Sequence, residues 1–166
     1  LEHLNYTFAI SNMTLSGITH LVRHRMQSIV VPSIRSVDHS RCILPDTVRQ
    51  DPAARACYRQ ILEEANRMLA GIREDSALAK FGYYFAISGN VMDVMTTMNA
   101  RELMLFIRLR ACNRAQWEIR GVAAGMLTLL REHFPQLFNH YGPTCVLKGI
   151  CPEGRLSCGR KEEVIK

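Results

Sequence analysis

The sequence predicts an α/β chain, α+β by stricter usage, in which helices pack on a mainly antiparallel sheet within a single domain over 1–166. Three observations lead there. The chain opens on an alternating apolar run, carries several long segments with helical periodicity, and lacks a regular strand–helix–strand alternation. Its 166 residues, 48% hydrophobic and 22% charged, suffice for one domain with a core of its own and argue against disorder.

Leu4, Tyr6, Phe8 and Ile10 alternate with Asn5, Thr7 and Ala9, the period of a half-buried strand. Ser11 to Ser16 offers turn and capping residues, and Ile18, Leu21 and Val22 then recur at helical spacing, predicting a short helix that ends in Arg23-His24-Arg25. Ile29-Val30-Val31 is β-branched and blocked by Pro32-Ser33, as an edge strand would be. Asp51 with Pro52 predicts a helix start, and Ala54, Tyr58, Ile61, Leu62, Ala65, Met68, Leu69 and Ile72 supply its apolar stripe. Tyr83 to Asn90 mixes aromatic residues with a turn signal, and Val91 to Met98 fits a strand. Asn99 is placed to cap a helix through Leu103, Phe106, Ile107 and Arg110. Ile119, Val122, Ala123, Met126, Leu127 and Leu130 mark another, ended by Pro135. Gly142 to Arg160 reads as a loop-rich tail packed on the domain.

A formal charge of +6 and a pI near 9.2 favour anionic partners. No apolar run approaches the roughly 18 residues needed to span a bilayer, and no signal segment opens the chain, so a soluble cytoplasmic protein without a membrane partner is expected. The absence of an initial Met suggests that a further segment precedes Leu1. The two Asn-x-Thr sequons, at Asn5 and Asn12, carry no weight on such a protein. Six cysteines in a chain this rich in helical pattern read as reduced thiols rather than a disulfide framework.

Two polar clusters could carry chemistry. Arg23-His24-Arg25 is followed after seven residues by Ser33 and then Arg35, and converging guanidinium groups hold phosphates or carbonyl oxygens with two-point geometry. A basic helix end that complements the helix dipole is the plainer reading of the tripeptide alone. His20 and His24 stand four apart, a spacing that chelates zinc, but no third ligand lies near in sequence. In the second cluster, Arg101 sits near a helix start, where backbone N–H groups attract anions. Arg110 shares the face of Leu103, Phe106 and Ile107, and a guanidinium buried there requires an acceptor, either a ligand or a structural group such as Glu118. Cys145-x5-Cys151-x6-Cys158 lacks the short paired spacing of zinc ribbons, although Cys112, His133 or His140 could complete a set. Buried thiols are the expectation, with no metal. Gly-rich phosphate loops and acyl-transfer signatures are absent from the sequence, which removes those hydrolase classes.

Arg23-His24-Arg25, seven residues, then Ser33 resembles the signature of the flavin-dependent thymidylate synthase family, ThyX. The segment from Met98 to Arg120, MNARELMLFIRLRACNRAQWEIR, is similar to that family's second block along its whole length. Glu2-His3 before the first strand also resembles the family, and implies that a Gly-His-x-Ser lead-in, which helps bind flavin, lies upstream. The resemblance implies a ThyX-like fold and a homotetramer with composite sites. It implies C5-methylation of a uridine monophosphate, UMP or dUMP, with FAD, NADPH and 5,10-methylenetetrahydrofolate, and no enzymic nucleophile on the pyrimidine.

By position, the resemblance places Arg23, His24 and Arg25 at the flavin and the adjacent nucleotide, and Asn99, Ala100 and Arg101 at flavin from another subunit. It places Ser33 and Arg35 at the nucleotide, and makes Arg110 the catalytic group that holds negative charge on the uracil. Four positions depart from the family pattern. His20 stands where Gln is usual, Val31 where a Glu contacts nucleotide and flavin, Tyr83 where an Arg often reaches the nucleotide, and Leu105 where a polar flavin contact is common. Loss of charged hydrogen-bonding groups at Val31 and Tyr83 is a change large enough to alter which sugar or phosphate is accepted. The pattern resembles a divergent ThyX branch that includes the UMP/dUMP methylase of polyoxin-type nucleoside antibiotic biosynthesis. The alternatives are an ordinary dUMP-specific thymidylate synthase and a non-catalytic nucleotide- or nucleic-acid-binding protein. One Trp and scattered aromatic residues give no stacking stripe for single strands, so nucleic acid is the least favoured partner.

Overall fold

Alternation at the start of the chain yields strand β1 (Asn5–Thr14) in the computed structural model, which describes residues 1–75 and 77–160. The strand runs past the turn expected at Ser11, and within it Asn12 takes a left-handed conformation (φ 57°) that its short polar side chain tolerates. Its backbone N–H donates to Asp93 Oδ1 at 2.8 Å. Helix α1 (Leu15–Leu21) then begins with Thr14 Oγ1 accepting from Gly17 N at 2.9 Å. Strand β2 (Gln27–Val30) ends before Pro32 and lies at an edge of the three-stranded sheet, whose central strand comes later in the chain.

After a short helix α2 (Asp46–Gln50), helix α3 (Pro52–Glu74) starts as the sequence predicts. Asp51 accepts from the backbone of Ala53 and Ala54, and Pro52 occupies the first turn, where its missing N–H costs nothing. A 3-10 segment, Ala79–Phe85, leads to strand β3 (Val91–Asn99). Thr7 bonds across to Thr97 at 2.8 Å, and Asn12 reaches Asp93, so β1 and β3 run antiparallel.

Asn99 caps helix α4 (Ala100–Arg110), its side chain accepting from Glu102 N at 2.9 Å. Helix α5 (Trp117–His133) packs on α4 and is opened by Gln116, whose Oε1 accepts from Glu118 N and Ile119 N. The helix stops at His133, and Pro135 opens a further short helix, α6 (Pro135–Phe138). Among the described residues, the tail holds only α7 (Thr144–Lys148) and a 3-10 turn, Gly154–Leu156, as its composition suggests.

Contacts divide the chain into two compact units, the first holding 1–10, 20–29 and 95–166, the second 11–19 and 30–94. The core of the first is Leu21, Met98, Leu103, Phe106, Ile107, Ile119, Ala123, Leu130 and Phe138. That of the second is Met13, Ile18, Val37, Leu69, Val91, Met92 and Val94. Among the described residues, no helix is long and apolar enough to cross a membrane.

A second expectation, besides the turn at Ser11, fails locally. The first helix does not reach Arg23-His24-Arg25 but ends at Leu21, whose carbonyl accepts from His24 N at 3.1 Å and from Gln27 Nε2 at 2.7 Å. The turn takes His24 out of the helix and into the interior of the first unit, 6% exposed.

Candidate functional site

In the first unit, the chain leaving α1 and the face of α4 build one polar construction. His24 Nδ1 lies 2.8 Å from Glu102 Oε1, and Arg110 Nε donates to His24 Nε2 at 3.0 Å. Arginine always donates, so Nε2 is the acceptor and the ring proton sits on Nδ1, where it donates to Glu102. The edge of the imidazole meets the Phe106 ring, centroids 5.0 Å apart. His24 and Glu102 are both buried, and each satisfies the other's polar group. Arg110 is half-buried and is thereby held at one end, through a single nitrogen.

The surroundings of Arg110 are cationic. Burial and the Arg23 guanidinium pull Arg110 below its ordinary value, and an arginine remains charged despite such a pull. Burial, Arg23 and Arg110 likewise lower His20, with Glu118 opposing. His20, Arg23 and Arg110 thus act on one another, and a carboxylate, phosphate or developing oxyanion would relieve their mutual repulsion. The acceptor that sequence reasoning sought for Arg110 includes the imidazole of His24, a residue 86 positions away, in addition to whatever ligand binds. Glu102 escaped that reading. Its signal was a carboxylate on the same helical face as Leu103, Phe106, Ile107 and Arg110, where apolar residues belong.

At the start of α4, Asn99 Nδ2 donates to Glu2 Oε2 at 2.8 Å, while Arg101 Nε donates to Glu2 Oε1. Ala100 is buried, and its N–H donates to Leu4 O at 2.7 Å, which ties the helix start to the chain before β1. Arg101 and Leu105 line a shared cavity of about 330 Å³ with Leu1, Met104, Arg108 and Tyr141. An exposed guanidinium beside an apolar wall suits a planar anionic cofactor. Arg23 and Arg25 are exposed on either side of the buried His24.

The second unit carries the other candidates. Val31 is half-buried just after β2, and Ser33 Oγ accepts from Arg35 N at 3.3 Å at the start of the 3-10 turn Ile34–Ser36. Arg35 donates to Lys80 O at 3.4 Å and lies 5.1 Å from the centroid of Tyr83, which stacks on Tyr84 at 4.4 Å. Arg35 and Tyr83 also line one small cavity of about 130 Å³ with His39, Arg73 and Lys80. The structure therefore brings Arg35 and Tyr83 together, a pairing that spacing alone does not show.

A protein-family model described as thymidylate synthase complementing protein matches residues 1–136. The flavin-dependent thymidylate synthase of Nitratidesulfovibrio vulgaris is 37% identical over 171 residues, covering 96% of this chain and 70% of that protein. The enzyme of the same description from Geobacter sulfurreducens is 37% identical over 168 residues, covering 99% and 72%. Among solved structures, ThyX from Helicobacter pylori complexed with FAD and dUMP superposes with a TM-score of 0.64 at 22% identity, over 83% of this chain and 73% of that one, a likeness of fold.

Proposed function

The chain belongs to the flavin-dependent thymidylate synthase (ThyX) family, and we propose that it methylates C5 of dUMP with Arg110 as the group that holds the charge on the uracil. The observation that carries this reading is the Glu102–His24–Arg110 construction in a cationic corner. FAD supplies hydride transfer in this family, with NADPH as reductant and 5,10-methylenetetrahydrofolate as carbon donor. Arg23 and Arg25, with Asn99, Ala100, Arg101 and Leu105, are the residues that would hold the flavin. The exposed guanidiniums and the half-buried Leu105 fit its phosphates and its ring system.

With Nε committed to His24, the terminal nitrogens of Arg110 form the fork that meets the pyrimidine. As C5 becomes nucleophilic, negative charge gathers on the ring oxygens, and a guanidinium already partly desolvated and oriented stabilises it with little reorganisation. Glu102 and His24 are positioning residues. Glu102 fixes the ring tautomer, and the ring then presents a lone pair to Arg110 rather than an N–H. The family resemblance assigns nucleotide binding to His20 and Arg23 in the first unit and to Ser33, Arg35, Val31 and Tyr83 in the second.

A homotetramer with composite sites belongs to the same reading. Ile61 and Met68 on α3 are 56% and 50% exposed, and with Ala65 and Phe85 they line an apolar groove that a second copy would cover. A cytoplasmic location accords with the reduced cofactors that the reaction consumes.

A second reading is favoured by one feature, the contact of Arg35 with Tyr83 where the family often places a nucleotide-binding Arg. With Val31 in place of a Glu, that change points to a pocket that accepts UMP, as in the antibiotic-pathway branch. Two measurements separate the readings. Growth rescue of a thymidine auxotroph is expected for the dUMP enzyme, and failure by folded, flavin-loaded protein would refute it. C5 tritium release from UMP at or above the rate from dUMP would favour the second reading.

A further inference from the structure

Packing of α3 against the 3-10 segment Ala79–Phe85 gathers cations from separate stretches of the second unit. Gly82 of that segment lies so close to α3 that a Cβ on it would stand 2.9 Å from Leu69 Cδ1. Arg73 follows Leu69 by four residues, hence on the same face of the helix. Lys80 and Tyr83 are three apart in the 3-10 segment, where such residues eclipse, so they share a side. Arg35 reaches in from its own 3-10 turn and lies over the Tyr83 ring. With His39, these residues line the cavity of about 130 Å³.

No carboxylate lines that cavity, and among the described residues Arg35, Arg73 and Lys80 form no ion pair. Positive charges gathered in this way repel one another, and a bound anion relieves the repulsion. His39 adds an independent sign of a ligand. It is 7% exposed and its Nδ1 has no partner, while the ring's other nitrogen bonds to the backbone of Phe85. A buried polar atom left without a partner is uncommon. Nδ1 presents a lone pair when the ring is neutral and an N–H when it is charged, and a phosphate monoester, whose second pKa is about 6, meets either. The volume is well below the roughly 300 Å³ at which pockets for whole small ligands begin, so it suits one charged group whose remainder lies outside.

We propose that Arg73 and Lys80, together with Arg35, bind the phosphate of the uridylate substrate and so select nucleotide over nucleoside. Resting on the methylase reading above, this gives roles to two residues, Arg73 and Lys80, to which the family resemblance gives none. It also accounts for Tyr83. The guanidinium missing there is replaced from α3 and from one 3-10 turn upstream, so the phosphate site persists with its charge supplied by different residues. UMP and dUMP carry the same phosphate, and the assignment holds for either.

Calorimetric titration of the full chain loaded with FAD tests this, with dUMP, UMP, deoxyuridine and inorganic phosphate as probes. Arg73→Gln and Lys80→Gln should each weaken binding of the uridylate that the wild type accepts by about tenfold, as loss of a charge-assisted hydrogen bond does. Binding of inorganic phosphate should weaken with it. Deoxyuridine, which lacks the phosphate, should bind wild type and variants equally, and flavin content should not change. In turnover the loss should fall on KM rather than kcat. Arg59→Gln removes the same charge from α3 about 20 Å away, and should bind uridylate as the wild type does, which separates contact from net charge. Undiminished uridylate affinity in both variants, an equal loss for deoxyuridine, or the same loss in Arg59→Gln would each overturn the proposal. A wild type that binds phosphate through Arg73 and Lys80 but neither uridylate would refute the methylase reading and keep the phosphate pocket, so the two fail separately.

Discussion

Arg110 Nε and His24 Nε2 stand 3.0 Å apart, with the imidazole as acceptor, so the proposed catalytic guanidinium is aimed by a histidine rather than by a carboxylate. Behind the histidine stands Glu102, 2.8 Å from Nδ1. The negative charge is thereby kept one ring away from Arg110, which leaves the guanidinium free to answer charge on a ligand.

His24→Ala should destabilise the protein by about 3 kcal/mol, since it leaves Glu102 buried without its donor and opens space beside Phe106. Glu102→Gln preserves shape and an acceptor, and should cost about 1 kcal/mol. Urea unfolding of both variants checks the order, and a Glu102→Gln variant weaker than His24→Ala would contradict it.

Asn90 is fully buried, and its side chain makes three hydrogen bonds. Its Oδ1 accepts from Ile87 N at 2.8 Å, and its Nδ2 donates to Arg41 O at 3.0 Å and His39 O at 3.2 Å. Asn90→Ala strands these backbone groups in the second unit and should cost about 3 kcal/mol. Thermal unfolding gives the value, and a loss below about 1 kcal/mol would show that the loop finds other partners.

His39 is buried, its Nδ1 has no hydrogen-bond partner, and burial together with Arg73 lowers its affinity for a proton below the ordinary value of 6.5. The unfolded chain takes up that proton more readily. The neutral form therefore contributes stability that is present above the ordinary value and is lost as pH falls through it. Stability measured from neutral towards mildly acidic pH should fall in the wild type and fall less steeply in His39→Gln. Equal slopes would assign the acid sensitivity to other groups.

Asn99→Ala removes the cap of α4 and a bond to Glu2, and should lower stability by about 1 kcal/mol. Asn99→Ser keeps a capping oxygen without setting a second carboxylate against Glu2, and should recover part of the loss. Calorimetry of the two variants tests the cap directly.

Much of this was legible because the signals were local. Asp51-Pro52 opened α3, Asn99 capped α4, and Pro32 kept β2 at an edge, each through contacts within a few residues. The end of α1 was not legible, because His24 is drawn from the helix by Glu102, 78 residues away. Likewise, residue types alone did not point to His24 as a partner of Arg110, which the fold brings to it. The pairing of Arg35 with Tyr83 across 48 residues is equally a product of tertiary contact. Cys112, Cys145, Cys151 and Cys158 have irregular spacing, and only folding shows that they line one cavity.

The central claim is that Arg110 holds the charge developing on the uracil, and C5 tritium release from labelled dUMP tests it most directly, comparing wild-type, Arg110→Lys and Arg110→Ala proteins loaded with FAD and supplied with NADPH and 5,10-methylenetetrahydrofolate. The account predicts release about 10²–10³-fold slower in Arg110→Ala, with flavin content and fold retained and only partial recovery in Arg110→Lys, which lacks the fork. Undiminished release by Arg110→Ala would contradict it.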